Sequence, residues 1–207
     1  MNKLKEVAHE IFVMDDFLSK QECQKIISNE EEMNFTSADI DTIDGKKVNS
    51  YIRNNERADL FSYELAEELW TKLGEIELPI FDYMNAIALS PFFRFYKYST
   101  GEKFNMHKDA QQRVGENITY YTFMVYLNDD FEGGNTVFQL NEISIKPKEG
   151  MLLVFQHRLW HQGEEVFSGN KYVLRTDVVY ETINFETYVE REKKDKELLL
   201  SRYKEAL

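Results

Sequence analysis

The chain contains one cysteine, Cys23, three prolines and nine glycines in 207 residues. One thiol cannot close an internal disulfide or build a cysteine-rich zinc site, so the composition fits a reducing compartment. Few prolines and glycines, beside 43% hydrophobic and 14% aromatic residues, exclude disordered and collagen-like chains. No apolar run approaches the roughly 18 residues of a membrane span, and the charged opening from Met1 to Glu10 lacks the apolar stretch of a secretion signal. Positive charge is also scarce: 25 Lys and Arg stand against 37 Asp and Glu, a net charge of −12. Such a balance argues against nucleic acid and anionic membranes as partners. These absences predict a cytoplasmic globular protein of one domain, residues 1–207, with a core large enough to fold unaided.

What is present divides into two regimes. Glu10 to Met14 reads as a short strand, and Ser19-Lys20-Gln21-Glu22 is a capping box that opens a helix. Cys23, Ile26 and Ile27 follow at helical spacing, which makes Cys23 a core residue rather than a reactive thiol. A second helix spans about Ser62 to Leu73, with Leu65, Leu69, Trp70 and Leu73 as its apolar stripe, and a third is expected around Ile80 to Ala88. From Phe92 the period changes to two. Strands are expected at Phe92–Tyr98, Asn117–Asn128, Thr136–Leu140, Ile143–Pro147, Met151–Gln156 and Tyr172–Tyr180, separated by Gly- and Asp-rich turns. Their spacing indicates an antiparallel sandwich or barrel. The charged tail from Glu186 reads as a closing helix. The resulting plan is one α+β domain: a helical lead-in over 1–91, a β core over 92–180 and a C-terminal helix over 181–207.

Two of the four histidines sit in informative places. In His107-Lys108-Asp109 the first and third side chains share a face if the backbone is extended. That pairs an imidazole nitrogen with a carboxylate oxygen. A third ligand must come from another strand, and His161 follows the apolar run 151–156. Two His and one carboxylate make the facial triad of non-haem Fe(II) oxygenases, which leaves coordination positions open. An H-x-D triplet in isolation is a weak signal. Its context adds Lys171 and Arg175, ten and fourteen residues beyond His161, and a cation near the metal suits the far end of a dicarboxylate.

From Phe92 to Tyr180 the chain resembles the 2-oxoglutarate/Fe(II)-dependent dioxygenases of the prolyl 4-hydroxylase type. The matching stretches are Phe95-Tyr96-Lys97-Tyr98 with Gly101 and the His107/Asp109 pair, Thr122 to Asn128, Phe131-Glu132-Gly133-Gly134, Pro147 to Phe155, and His161-Gln162-Gly163 through Gly169-Asn170-Lys171-Tyr172. The resemblance implies a double-stranded β-helix (jelly-roll) core, with N-terminal helices on the sheet. It implies iron held by His107, Asp109 and His161, and 2-oxoglutarate and O2 as co-substrates with ascorbate as reductant. The resemblance also implies that the distal carboxylate of 2-oxoglutarate meets Lys171, with Tyr98 or Tyr126, and Thr122, adding hydrogen bonds; the alternative for each tyrosine is ordinary aromatic core. Arg175 departs from the pattern: it either replaces Lys171 as the clamp or pairs with an acid such as Asp177 or Glu132, and Lys171 is preferred.

The substrate is less legible. Arg53, Asn54, Asn55 and Arg57 either border the iron pocket or form a solvated loop before a helix, and Arg94 and Tyr96 share the face of Tyr98. The family match suggests a prolyl residue of a protein or peptide, and a free amino acid or other small molecule is the alternative. A zinc hydrolase built on His157 and His161 would need a helix with a Glu after His157, which the chain lacks. A non-catalytic binding module on the same fold would have no use for a complete ligand triad and a clamp.

Overall fold

The computed structural model describes residues 3–30, 33–42, 45–48, 52–74, 78 and 84–182, together with Lys193 and Glu197. In chain order the elements are β1 (Lys5–Ala8), β2 (Ile11–Met14), α1 (Lys20–Ser28), β3 (Thr36–Ser37), β4 (Asp39–Thr42), β5 (Gly45–Val48), β6 (Glu56–Phe61), α2 (Tyr63–Leu73) and β7 (Met84–Leu89). Then follow β8 (Phe92–Tyr98), β9 (Phe104–His107), β10 (Arg113–Val114), β11 (Asn117–Tyr126), β12 (Glu132–Gly133) and β13 (Thr136–Phe138). The last are β14 (Ile143–Ile145), β15 (Leu152–Gln156), β16 (His161–Gly163), β17 (Val166–Ser168) and β18 (Lys171–Thr182). Among the described residues the molecule is mostly β, and no helix is long and apolar enough to cross a membrane.

The main sheet runs β1-β2-β15-β11-β18-β8-β6-β3, with β10 on β11 and β7 on β18. A smaller sheet runs β14-β13-β16-β9. Strand β18 is the spine: its first half pairs with β8 from Lys171↔Tyr98 to Arg175↔Arg94, and its second half with β7. Its other edge pairs with β11 from Val173↔Tyr126 to Tyr180↔Ile118, and all these pairs are antiparallel.

Alternation along these strands separates two cores. Phe93, Phe95, Phe123, Val125, Leu174 and Val178 point to one side, where Cys23 of α1 and Ala66, Leu69 and Leu73 of α2 join them. Tyr96, Tyr98, Tyr126, Leu153, Phe155 and Val173 point to the other side and pack with Phe138, Ile143 and Ile145 of the smaller sheet. The capping box of α1 is formed as read: the Ser19 hydroxyl accepts from the Glu22 amide, and the Glu22 carboxylate accepts from the Ser19 amide at 2.7 Å. Cys23 is fully buried, and burial pushes its thiol up to about 11, which suits a core residue.

Two expectations need correction. Met84–Leu89 is not helical but the strand β7: Met, Ala and Leu are good helix formers, and pairing along β18 overrides that local preference. The remainder of that stretch, 80–83, lies outside the described residues. The lead-in is also more β than α: among the described residues it holds two helices and seven strands, and β1, β2, β3, β6 and β7 belong to the main sheet. The expected C-terminal helix lies outside the described residues apart from Lys193 and Glu197, which are helical.

Candidate metal centre and co-substrate pocket

His107 ends β9 and His161 opens β16, and these adjacent strands of the smaller sheet set the two residues opposite each other. Their ring centroids are 4.2 Å apart. Asp109 lies two residues past His107, held by its backbone N–H to the His157 carbonyl at 3.0 Å. Its Oδ1 is 3.7 Å from His107 Nε2, and its Oδ2 is 3.7 Å from His161 Nε2. One ligand atom from each residue falls within 4.8 Å of the others.

The local bonds present these atoms in binding form. Each imidazole uses Nδ1 on a carbonyl two residues back, His107 on Asn105 at 2.8 Å and His161 on Leu159 at 3.0 Å. Nδ1 therefore carries the proton, and Nε2 keeps a lone pair for an ion. Burial, followed by the neighbouring His161, pushes His107 down to about 3, and burial also lowers His161. Both rings are thus neutral at physiological pH. Burial works against ionisation of Asp109, but the Arg175 guanidinium and the two imidazoles outweigh it and hold the carboxyl well below its usual range. Two neutral imidazoles and one carboxylate fit a divalent iron-type ion.

Further in, Thr122 donates from Oγ1 to Asp109 Oδ2 at 2.5 Å, and Arg175 reaches Oδ1 at 3.0 Å. Arg175 also meets Asp177 at 3.3 Å, so of the two acids considered for it Asp177 is the one in contact. Asp177 bonds His157 at 3.2 Å and Arg94 at 3.4 Å. His157 is therefore turned to Asp177 rather than to the triad, and the turn after β15 that carries it is not a helix, which removes the zinc-hydrolase alternative.

Lys171 lies at the other end of the cleft. It donates to the Gly134 carbonyl at 2.5 Å and sits 5.3 Å from the ring centres of both Tyr98 and Tyr126. Tyr126 is tied to Thr136 at 2.6 Å. Lys171 is 3% exposed, and burial pushes its ammonium down to about 7. A buried cation among a carbonyl and two aromatic faces suits the outlying carboxylate of a dicarboxylic acid.

The cleft brings together His107, Asp109, His161, Lys171, Arg175, Tyr96, Tyr98 and Thr122, with Phe104, Met124, Thr136, Phe155 and Val173 as walls. Thr122 serves Asp109, a role that parity alone does not distinguish from a co-substrate contact. Among the expected substrate residues, Arg53 is buried with its guanidinium 4.2 Å over Phe104 and 4.9 Å over Tyr96. Asn55 is fully buried and serves the backbone and Arg53, accepting from Arg53 Nε at 3.1 Å. Arg57 pairs with Asp59 at 2.8 Å, and Arg94 with Asp177. Sequence reasoning missed Phe104, which stacks on His107 at 3.5 Å, and Thr136. The alternation Thr136–Phe138 was the signal available for Thr136; for Phe104 there was none.

A model of the 2OG-Fe(II) oxygenase superfamily matches residues 93–176, a stretch that contains all three triad residues, Lys171 and Arg175. Prolyl 4-hydroxylase 1 of Arabidopsis thaliana is 26% identical over 190 residues, covering 78% of this chain and 66% of its own length. The chain thus spans slightly less than two thirds of that relative. Among solved structures, the viral collagen prolyl hydroxylase of Paramecium Bursaria Chlorella virus-1, in its 2OG complex, aligns with a TM-score of 0.57 at 23% identity over 82% of this chain and 95% of its own. A prolyl hydroxylase from Trichoplax adhaerens, in complex with a hypoxia inducible factor peptide fragment, aligns with a TM-score of 0.59 at 18% identity over 82% of this chain and 83% of its own. These two likenesses establish the fold, the double-stranded β-helix of the 2OG oxygenases. The triad, the buried lysine and the matched region agree: residues 93–176 are similar to the 2OG-Fe(II) oxygenase superfamily, and the chain as a whole is similar to prolyl 4-hydroxylases.

Proposed function

We propose that the chain is a 2-oxoglutarate- and Fe(II)-dependent dioxygenase that hydroxylates an unactivated C–H bond, with a prolyl residue of a protein or peptide as substrate. The observation that carries this reading is the convergence of His107, Asp109 and His161 within 4.8 Å, in the same cleft as buried Lys171. The Arabidopsis relative supports the substrate class. Residues 1–207 are taken as one catalytic domain, a reading supported by the placement of β1, β2 and β6 in the sheet that carries β11 and β18.

Iron bound with 2-oxoglutarate and O2 supplies the oxidative decarboxylation to succinate and CO2 and the oxidant that delivers the hydroxyl group. His107, Asp109 and His161 would hold the ion, the imidazoles through the Nε2 lone pairs that their Nδ1 bonds leave free and Asp109 through its carboxylate. Lys171 receives the distal carboxylate, with the Tyr98 and Tyr126 rings fixing its ammonium. Phe104, Met124, Phe155 and Val173 keep water from the cleft. Tyr96 and Arg53 form the wall nearest an incoming substrate.

The test supplies purified protein with Fe(II), 2-oxoglutarate, O2 and ascorbate, and compares proline-containing peptides with free amino acids. Succinate release with the mass gain of one oxygen atom on a peptidyl proline is the expected result. A gain confined to free amino acids would move the substrate to the small-molecule class. Absence of succinate with every substrate would favour a binding module on this fold.

A further inference from the structure

Arg175 is the feature of the site that the proposed activity leaves unused. Its guanidinium touches Asp109 Oδ1 at 3.0 Å, Asp177 Oδ1 at 3.3 Å, Thr122 Oγ1 at 3.4 Å and the Tyr96 hydroxyl at 3.4 Å. Asp177 in turn bonds His157 and Arg94, and the His157 carbonyl accepts the Asp109 amide at 3.0 Å. The chain of contacts therefore closes on itself: Asp109 to Arg175, Arg175 to Asp177, Asp177 to His157, and His157 back to Asp109. All four residues are buried or nearly so.

Two physical consequences follow. A guanidinium that balances two buried carboxylates cannot leave for a co-substrate without stranding both charges in a water-poor cleft, which is strongly unfavourable. Lys171 carries no such obligation. In addition, the two oxygens of Asp109 are not equivalent. Oδ1 faces a fixed positive charge, whereas Oδ2 faces the neutral Thr122 hydroxyl. A divalent ion is repelled from the first and accepted by the second, since a carboxylate oxygen has a lone pair to spare beside one hydrogen bond.

We infer that Arg175 is a positioning residue that makes Asp109 a one-oxygen metal ligand: the guanidinium, locked by Asp177 and His157, occupies Oδ1 and leaves Oδ2 alone to the ion. A two-oxygen attachment would use a coordination position that the co-substrate needs, so Arg175 keeps that position open. This inference rests on the proposed metal site.

The experiment uses Mn(II) as the probe ion and N-oxalylglycine as an inert 2-oxoglutarate analogue. A crystal structure of the wild-type protein with both is expected to show Oδ2 on the ion, Arg175 on Oδ1 and the analogue's distal carboxylate on Lys171. Calorimetry then compares Arg175→Met with Arg175→Lys. In Arg175→Met, analogue affinity for the Mn(II)-loaded protein falls by about tenfold or more while Mn(II) affinity does not fall in step. Arg175→Lys, which keeps a cation at Oδ1, restores most of the analogue affinity. A purely structural role would lower both affinities together. Both carboxylate oxygens on the wild-type ion, or Arg175 turned to the analogue, would overturn the inference while leaving the metal site intact. Failure of the wild-type protein to bind Mn(II) at the triad would remove the site and this inference together.

Discussion

Lys171 shows how a single side chain couples the pocket to pH. Burial draws its ammonium down to about 7 from 10.5, so the apo protein carries a proton on it only at neutral pH and below. The sign for folding follows: the unfolded chain binds that proton up to about 10.5, so this group's penalty is full below 7 and fades as pH rises toward 10.5. A carboxylate needs the charged form. The affinity of the iron-loaded protein for 2-oxoglutarate is therefore expected to be highest below pH 7 and to decline as pH climbs above it. Titration by calorimetry checks this, and Lys171→Arg, which stays charged, should flatten the profile. At the same scale, His107→Ala or Asp109→Ala should cut metal affinity and turnover by at least about a hundredfold, while circular dichroism shows the fold retained. Full activity in either variant would dismiss the triad.

Among the elements, turns decide more than their length suggests. Gly133 has φ +79, and a Cβ there would lie 2.3 Å from the Glu165 carbonyl where β12 meets β17. The next residue, Gly134, presents the carbonyl that holds Lys171. Gly133→Ala is therefore expected to cost roughly 2–3 kcal/mol by denaturant unfolding, the sum of backbone strain and a clash with main chain. It should weaken 2-oxoglutarate binding as well, through the displaced Gly134 carbonyl. Ser19→Ala removes only a cap and should cost about 1 kcal/mol with no effect on turnover, since α1 lies on the far side of the main sheet. Equal effects of the two substitutions on 2-oxoglutarate binding would contradict this division. The α1 cap was legible because it depends on four consecutive residues. Strand β7 was not, because its conformation depends on β18, about ninety positions downstream.

For the molecule as a whole, the proposed metal site joins two sheets. His107 and His161 belong to the smaller sheet, while Asp109 is tied by Arg175 and Thr122 to β18 and β11 of the main one. An ion bound by all three residues links both layers, so loading should raise thermal stability. At a hundredfold excess over Kd the gain is about 2.7 kcal/mol, or roughly 5–10 °C in Tm for a chain of this size. Differential scanning fluorimetry with Mn(II) should show that shift and its loss in His161→Ala. An equal shift in the variant would place the ion elsewhere.

Much of this architecture was present in local pattern. Alternation marked β8, β11 and β18, a short apolar run marked β15, the capping box located α1, and the H-x-D triplet with His161 and Lys171 offered the candidate ligands and clamp, because period, parity and residue chemistry act over a few positions. Pairing and burial were decided only in three dimensions. The assignment of Thr122 to Asp109, of Arg175 to two carboxylates, and of Phe104 to the face of His107 arises where strands distant in sequence meet. Charge balance inside a dry cleft is a property of those meetings, and no stretch of chain taken alone contains it.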